Sequence, residues 1–146
     1  RPVCALAPGV MGETGFEVAE LTASLLRGGE FASVIAVDAL AARSMTRLGR
    51  TIQLSDSGIS PGSGVLNSRA ALSRETLGVP VFAVGIPTVV DAAALCEEGE
   101  EPREPLMATP RDIDRIIGQG AAILAEGINR ALQPTLGPDE LSALLS

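Results

Sequence analysis

Short apolar runs alternate with longer amphipathic stretches along the chain, and this alternation predicts an α/β fold. The apolar runs that we predict to be strands are Val3–Ala7, Ser33–Val37, Thr51–Ser55 and Val79–Val84. Helices are predicted after Thr14 as far as Gly28, over Ala39–Leu48, Arg69–Leu77, Thr88–Leu95, from Thr109 to Leu132 and over Asp139–Leu145. We therefore expect a three-layer arrangement, in which helices flank a mostly parallel sheet.

Helix-start signals mark two of these elements. Thr14 and Glu17 have the spacing of a capping box, in which each side chain binds the other residue's amide. Thr109 is a good N-cap residue, and Pro110 suits the first position of a helix. The helix after Thr14 lies between two predicted strands, which indicates a βαβ unit with parallel strands and a right-handed crossover.

Length and composition fit one α/β domain over residues 1–146. The chain opens abruptly on a predicted strand, so we expect that an N-terminal part of the domain is missing. Residues 97–105 are acidic and contain Gly and Pro, which predicts a surface linker. The net charge of −7 argues against nucleic acid binding, and the two cysteines suit a reducing cytoplasm. No stretch resembles a membrane span, so no membrane partner is expected.

The residue types that the chain lacks exclude several mechanisms. It contains no His, Tyr, Trp or Lys, and all 11 of its basic residues are Arg. A Ser-His-Asp or Cys-His unit cannot be built from this chain, and neither can a Schiff base on lysine. A P-loop requires its Lys, and zinc sites usually require His or several Cys. Carboxylates remain as the groups for proton transfer, and no metal or cofactor is expected.

Asp38 is the first candidate for that chemistry. It directly follows the buried run Ser33–Val37, where the predicted strand would leave the sheet. Ligands in open α/β sheets collect beyond the carboxyl ends of the strands, and a carboxylate there is half shielded from water. A general acid or base and the N-cap of the helix Ala39–Leu48 are equally good interpretations. Arg43 could hold a carboxylate or lower the pKa of Asp38, or it could be a surface residue.

The loop from Asp56 to Ser68 is the second candidate region. Its Gly62, Ser63 and Gly64 have no bulky side chains, so their backbone amides could approach a phosphate or line a peptide groove. A plain turn is the alternative. If the strands before Asp38 and Asp56 are parallel neighbours, the two carboxylates lie at one edge and their pKa values diverge. We favour an Asx-turn for Asp56.

Five long strings of the chain are specific enough to carry a family resemblance: IAVDALAARS, TIQLSDSGISPGSGVLNSR, LSRETLGVPVFAVGIPTVVDA, PGVMGETGFE and MATPRDIDRIIGQGAAILAEGINRAL. They resemble the germination protease family of spore-forming bacteria. Together they cover nearly the whole chain except the acidic linker and the last short helix.

This resemblance implies an endopeptidase that degrades small acid-soluble spore proteins during germination, in the cytoplasm of the spore core or forespore. The family is tetrameric, is made as zymogens and is regarded as an atypical aspartic protease group, with a fold similar to hydrogenase maturation proteases. One of its two proposed catalytic aspartates falls on Asp38, and the other belongs to a segment before Arg1. Besides Asp38, the candidate substrate-binding or oxyanion residues are Arg43, Asp56, Ser60, Gly62, Ser63, Gly64 and Asn67.

Two departures from the family pattern keep other functions open. Ser60 stands where the family usually has His, and residues 97–105 replace a longer insertion. A non-catalytic homologue that binds spore proteins or a sister subunit is therefore the alternative, and this chain alone is expected to be inactive without the second aspartate. A metal-dependent maturation peptidase is disfavoured because the chain has no His.

Overall fold

A computed structural model describes residues 1–62, 69–92 and 106–145 of the chain. The described residues form two compact units. The larger unit is Ala7–Arg111, and the smaller one combines Arg1–Leu6 with Asp112–Ser146. The larger unit carries all the described strands and all the described candidate site residues, and the expectation of one domain over residues 1–146 stays a prediction.

A mixed sheet forms the centre of the larger unit. Its strands are β1 (Val34–Ala42), β2 (Gln53–Ser55), β3 (Val81–Asp91) and β4 (Met107–Ala108). The spatial order is β1-β3-β2, and β4 pairs with the far end of β3. β1 is parallel to β3, whereas β2 and β4 are both antiparallel to it. The expectation of a mostly parallel sheet is therefore wrong for the described strands, although the α/β class is confirmed.

β1 is longer than the sequence predicts, and its extension replaces a predicted helix. It pairs with β3 as far as Ala42, so the first residues of the predicted helix Ala39–Leu48 are strand. Turns follow from Ser44 to Arg50 and bring the chain back as β2. The helix-favouring composition of this segment is overridden by pairing with β3, because propensity is weaker than tertiary context.

β3 also extends beyond its predicted end. It continues through Pro87, so the predicted helix Thr88–Leu95 is wrong for its first four residues. The β-branched run that starts at Thr88 suits a strand. The register of β3 against β1 shifts directly after Pro87. Proline has no amide hydrogen to donate, and a sheet tolerates it at such an irregularity. The Thr109 hydroxyl donates a hydrogen bond of 2.8 Å to the Thr88 carbonyl instead of capping a helix.

The N-terminal part of the chain differs from the predicted βαβ unit. Val3–Ala7 forms no strand, and its residues are exposed. Thr14 ends the short helix α1 (Met11–Thr14), and its hydroxyl donates to the Val10 carbonyl. Helix α2 (Val18–Arg27) begins after Glu17, which makes no side-chain cap, so the predicted capping box is absent there. The predicted stop at Gly28 is confirmed.

A capping box does occur at helix α3 (Arg74–Leu77). The Ser73 hydroxyl accepts from the Thr76 amide at 3.4 Å, and the Thr76 hydroxyl accepts from the Ser73 amide at 3.0 Å. We expect Ser73→Ala to lower the free energy of unfolding by about 1 kcal/mol, because the Thr76 amide in the first turn of the helix loses its acceptor. Urea denaturation of this variant beside Ser24→Ala, an exposed site in α2, measures the difference. Equal stability of the two variants would contradict the cap.

The smaller unit contains helices α4 (Ile113–Leu132) and α5 (Pro138–Leu145), both predicted from the sequence. α4 begins after Asp112 rather than after Thr109. The Arg115 guanidinium donates to the Asp112 carboxylate and holds the pKa of Asp112 below its usual value. None of the helices in the described parts of the chain is long and apolar enough to cross a membrane.

Two apolar clusters lie at opposite ends of β1. At its start, Ala19 of α2 and Val81 of β3 are buried together with Leu72, and Val34 and Ala36 pack against them. At its end, Ala42 is buried with Leu48 and Val90. The middle of β1 lies between these clusters and carries Asp38.

Candidate functional site

Asp38 lies in the middle of β1, not at its carboxyl end. Four more residues of the strand follow it, so the expected position beyond the sheet is wrong. Side chains alternate between the two faces of a strand, and the face of β1 that carries Asp38 also carries Ala36 and Leu40. Residues on this face are half-buried, whereas Val37 on the other face is 56% exposed. Asp38 is therefore partly shielded from water.

The carboxylate of Asp38 has one defined hydrogen-bond partner in its own strand. Its Oδ1 accepts from the amide of the next residue, Ala39, at 2.8 Å. This bond fixes one carboxylate oxygen near the strand backbone, and a carboxylate oxygen has further lone pairs that can accept a proton from a bound water molecule. The interpretation of Asp38 as a helix cap is wrong, because no helix follows it.

Asp38, Gly85 and Gln53 form one row across three strands. Asp38 and Gln53 are both in register with Gly85, from β1 on one side of β3 and from β2 on the other. Residues in register point to the same face of a sheet, and Gly85 adds no side chain between them. Sequence reasoning missed Gln53 and Gly85, because the register of a sheet is not visible in a single sequence.

Gly85 allows β1 to lie close against β3 at Asp38. A β-carbon added at Gly85 would lie 2.1 Å from the backbone oxygen of Asp38 and 2.8 Å from Cγ of Leu40. Both distances are far inside van der Waals contact, so only glycine fits here. The position of Asp38 thus depends on the missing side chain of Gly85.

Two residues proposed as neighbours of Asp38 lie away from it. Arg43 is exposed beyond the end of β1, roughly 16 Å along the extended chain, so it does not pair with Asp38. β2 is separated from β1 by β3 and runs antiparallel to it, which places Asp56 roughly 14 Å from Asp38 by register and strand spacing. The expectation of two carboxylates at one edge is therefore wrong for Asp38 and Asp56.

The loop after β2 is anchored at its first turn. Asp56 is exposed, and the turn around it is closed by Ser55, whose hydroxyl accepts from the Ser57 amide at 3.2 Å. Ile59 exchanges two backbone hydrogen bonds with Leu72, at 2.9 and 2.8 Å. Ser60 and Gly62 follow and are half-buried. The candidates Ser63, Gly64 and Asn67 lie outside the described residues.

Gly58 determines how this loop leaves the sheet. Its φ is +81°, and an added β-carbon would lie 2.1 Å from the Leu72 carbonyl oxygen. We expect Gly58→Ala to destabilise the protein by about 1–3 kcal/mol, through backbone strain and a clash with fixed backbone. Gly78→Ala is the matched control, because Gly78 has a φ of +76° with open space around it. Thermal unfolding in which both variants lose the same stability would contradict the clash with Leu72.

Groups of three or more Cys, Asp or Glu side chains placed to hold a metal ion do not occur in the part of the chain that the structure describes. The site around Asp38 thus consists of a single half-buried carboxylate, a glycine and an amide side chain on one sheet face. Such an arrangement can activate water as a general base, with additional polar groups supplied from elsewhere.

Comparison with known proteins identifies relatives for the whole chain. The profile of the germination protease family matches residues 1–101. The germination protease of Clostridium perfringens strain SM101 is 39% identical over 184 aligned residues, which cover 100% of this chain and 57% of that protein. The germination proteases of Bacillus velezensis and Halalkalibacterium halodurans are 56% and 57% identical over 98 residues, or 67% of this chain.

The alignment covers Asp38, Gly85 and the loop that follows β2, all of which lie within the matched residues. The chain spans about 57% of the length of the clostridial relative that it matches from end to end. A family profile over more than two thirds of the chain, together with 39% identity along its whole length, establishes the relationship. The chain belongs to the germination protease family.

Proposed function

We propose that this protein is an aspartic-type endopeptidase that initiates the degradation of small acid-soluble spore proteins during germination. The observation that carries the proposal is Asp38, a half-buried carboxylate in a chain of the germination protease family. The chain has no His or Lys, so a carboxylate is the natural group for activating water. The fold relationship to hydrogenase maturation proteases belongs to the same proposal.

The mechanism assigns one proton transfer to Asp38. Its ionised carboxylate takes a proton from a water molecule, whose oxygen attacks the carbonyl carbon of the scissile peptide. A second carboxyl group, protonated, polarises the carbonyl oxygen and later protonates the leaving amine. In the family that second aspartate belongs to a segment before Arg1, so we assign it to no residue of this chain.

The loop from Asp56 to Asn67 is the proposed wall of the substrate site. Its backbone amides, around Ser60 and Gly62 among the described residues, would bind the substrate backbone or stabilise the developing oxyanion. Gln53 adds a neutral polar side chain on the same sheet face as Asp38. Arg43 receives no role in this mechanism, because it lies beyond the end of β1.

Other parts of the proposal concern the protein in the cell. We propose a zymogen that is activated by removal of a propeptide, a homotetramer, and a location in the cytoplasm of the spore core. Family membership supports these statements.

Ser60 favours a second candidate function, because the family usually has His at this position. That candidate is a non-catalytic homologue that binds spore proteins without cutting them.

One experiment separates the two candidates. The protein encoded by the complete reading frame is incubated with a purified small acid-soluble spore protein and, in parallel, with an unrelated unfolded protein of similar length. Mass spectrometry of the products and a binding titration are recorded on the same samples. Selective cutting of the spore protein supports the endopeptidase, whereas binding without fragments supports the second candidate.

A further inference from the structure

The sheet face that carries Asp38 also carries a second polar side chain, that of Gln53. Gln53 lies opposite Gly85 from β2, and Asp38 lies opposite the same glycine from β1. Two strand spacings therefore separate the α-carbons of Asp38 and Gln53, a distance of about 10 Å. Both residues are half-buried, and the side chain of Gln53 makes no hydrogen bond to another residue that the structure describes. The side-chain amide of Gln53 is thus free to bind a substrate group.

The floor between these two side chains is apolar. Gly85 and Ala83 of β3 are buried on this face. The side chain of Leu40 leans over Gly85, since its Cγ lies 2.8 Å from the position of an added β-carbon. Hydrogen bonds that form above such a floor are stronger than in water, because the local dielectric constant is low. Asp38 and Gln53 thus stand as polar groups on either side of an apolar floor.

The separation of the two side chains fits the groups that react in peptide hydrolysis. Side chains on a strand stand roughly perpendicular to the sheet, so the tips of Asp38 and Gln53 stay about as far apart as their α-carbons. A carboxylate, a water molecule, a carbonyl group and an amide donor placed in line span about 10 Å, when the water lies at attack distance from the carbonyl carbon. The Ala39 amide holds only Oδ1 of Asp38, so Oδ2 can accept from that water.

We infer that Gln53 is a further catalytic residue, whose side-chain amide donates a hydrogen bond to the carbonyl oxygen of the scissile peptide while Asp38 activates the attacking water. This inference rests on the proposed function and adds a residue to it. Negative charge develops on the carbonyl oxygen as the water attacks, and a donor held on a strand stabilises that charge without reorganising. Gln53 transfers no proton, and the second carboxyl group still protonates the leaving amine.

The test replaces the donor while the size of the side chain is kept. The protein encoded by the complete reading frame is prepared with Gln53→Glu, which has the same length but no amide hydrogen, and with Gln53→Leu, which is apolar. The kcat for cleavage of a small acid-soluble spore protein is expected to fall by about 10²–10³-fold in both variants, as for the loss of one oxyanion donor. The KM is expected to change by less than about 3-fold, because the hydrogen bond strengthens in the transition state.

Gln119→Leu is the matched control for the loss of an amide side chain. Gln119 is exposed in helix α4, where it accepts a hydrogen bond of 3.0 Å from Arg115. We expect this control to keep the wild-type kcat within a factor of about 2, as surface substitutions usually do. Thermal unfolding shows whether each variant is folded, and if Gln53→Leu does not fold, Gln53→Glu decides alone. A raised KM with an unchanged kcat in the Gln53 variants would overturn the inference, because Gln53 would then bind substrate without acting in the transition state.

The outcomes separate this inference from the proposed function. Cleavage that is lost in Asp38→Asn but retained at the wild-type kcat in Gln53→Glu and Gln53→Leu would keep the peptidase and overturn the role of Gln53. The absence of cleavage by the wild type would overturn the proposed function, and the inference with it. A fall in kcat in both Gln53 variants, with Gln119→Leu unchanged, is the result that the inference predicts.

Discussion

Replacing Asp38 with asparagine is expected to lower the rate constant for peptide cleavage by about 10²–10⁴-fold, the range that a general base contributes. The expected loss of rate comes from the lost basicity of the side chain at position 38. Asparagine keeps an oxygen that can accept from the Ala39 amide, as Asp38 Oδ1 does at 2.8 Å, but it cannot take a proton from water. The hydrogen bond and the packing of β1 should therefore survive while the chemistry is lost.

The measurement for this variant is a single-turnover rate with the spore protein, accompanied by thermal unfolding. Asp114→Asn is the matched control, because Asp114 is exposed in the first turn of helix α4 and has no part in the proposed site. We expect the control to retain the wild-type rate within a factor of about 3, since surface substitutions change little. A loss of cleavage in Asp56→Asn with an unchanged rate in Asp38→Asn would move the general base to the loop.

Replacing Gly85 with alanine is expected to lower the free energy of unfolding by about 1–3 kcal/mol. The added β-carbon would lie 2.1 Å from the Asp38 carbonyl oxygen and 2.8 Å from Cγ of Leu40. The first of these atoms belongs to the backbone of the neighbouring strand, so the clash is relieved only if β1 moves away from β3. Because Asp38 is carried on β1, we expect cleavage to fall along with stability.

The control for Gly85→Ala lies in helix α4. Gly118 has open space around its α-carbon, and alanine in a helix interior is more favourable than glycine by about 1 kcal/mol. Gly118→Ala is therefore expected to stabilise the protein, in the opposite direction to Gly85→Ala. Urea denaturation of the two variants measures the contrast. A Gly85→Ala variant as stable as the wild type would show that β1 and β3 do not approach this closely.

Local patterns predicted the existence of most elements but not their lengths. The amphipathic periodicity from Thr109 onward predicted α4, and the stop at Gly28 was also confirmed. The segments after Asp38 and from Thr88 were predicted as helices because their composition allows it. The first residues of both segments are strand because they pair with each other, from Leu40 opposite Pro87 to Ala42 opposite Val90. Pairing between distant segments is the information that local propensity lacks.

The same limit applies to the site. Asp38 was found from the apolar run before it and from the absence of other proton-transfer groups, and the structure adds its half-buried position. Its row partners Gly85 and Gln53 come from strands that are 47 and 15 residues away in sequence, so only the register of the sheet reveals them. Arg43 was considered as a partner of Asp38 because it follows soon after it in sequence, but the extended strand carries it away.

The most direct test of the central claim, that Asp38 performs peptide hydrolysis, is a comparison of product spectra. The proteins encoded by the complete reading frame with Asp38 and with Asp38→Asn are each incubated with the same small acid-soluble spore protein, and the fragments are identified by mass spectrometry over time. The account predicts discrete fragments from the wild type and intact substrate with the variant. Identical fragments appearing at the same rate in both samples would contradict it.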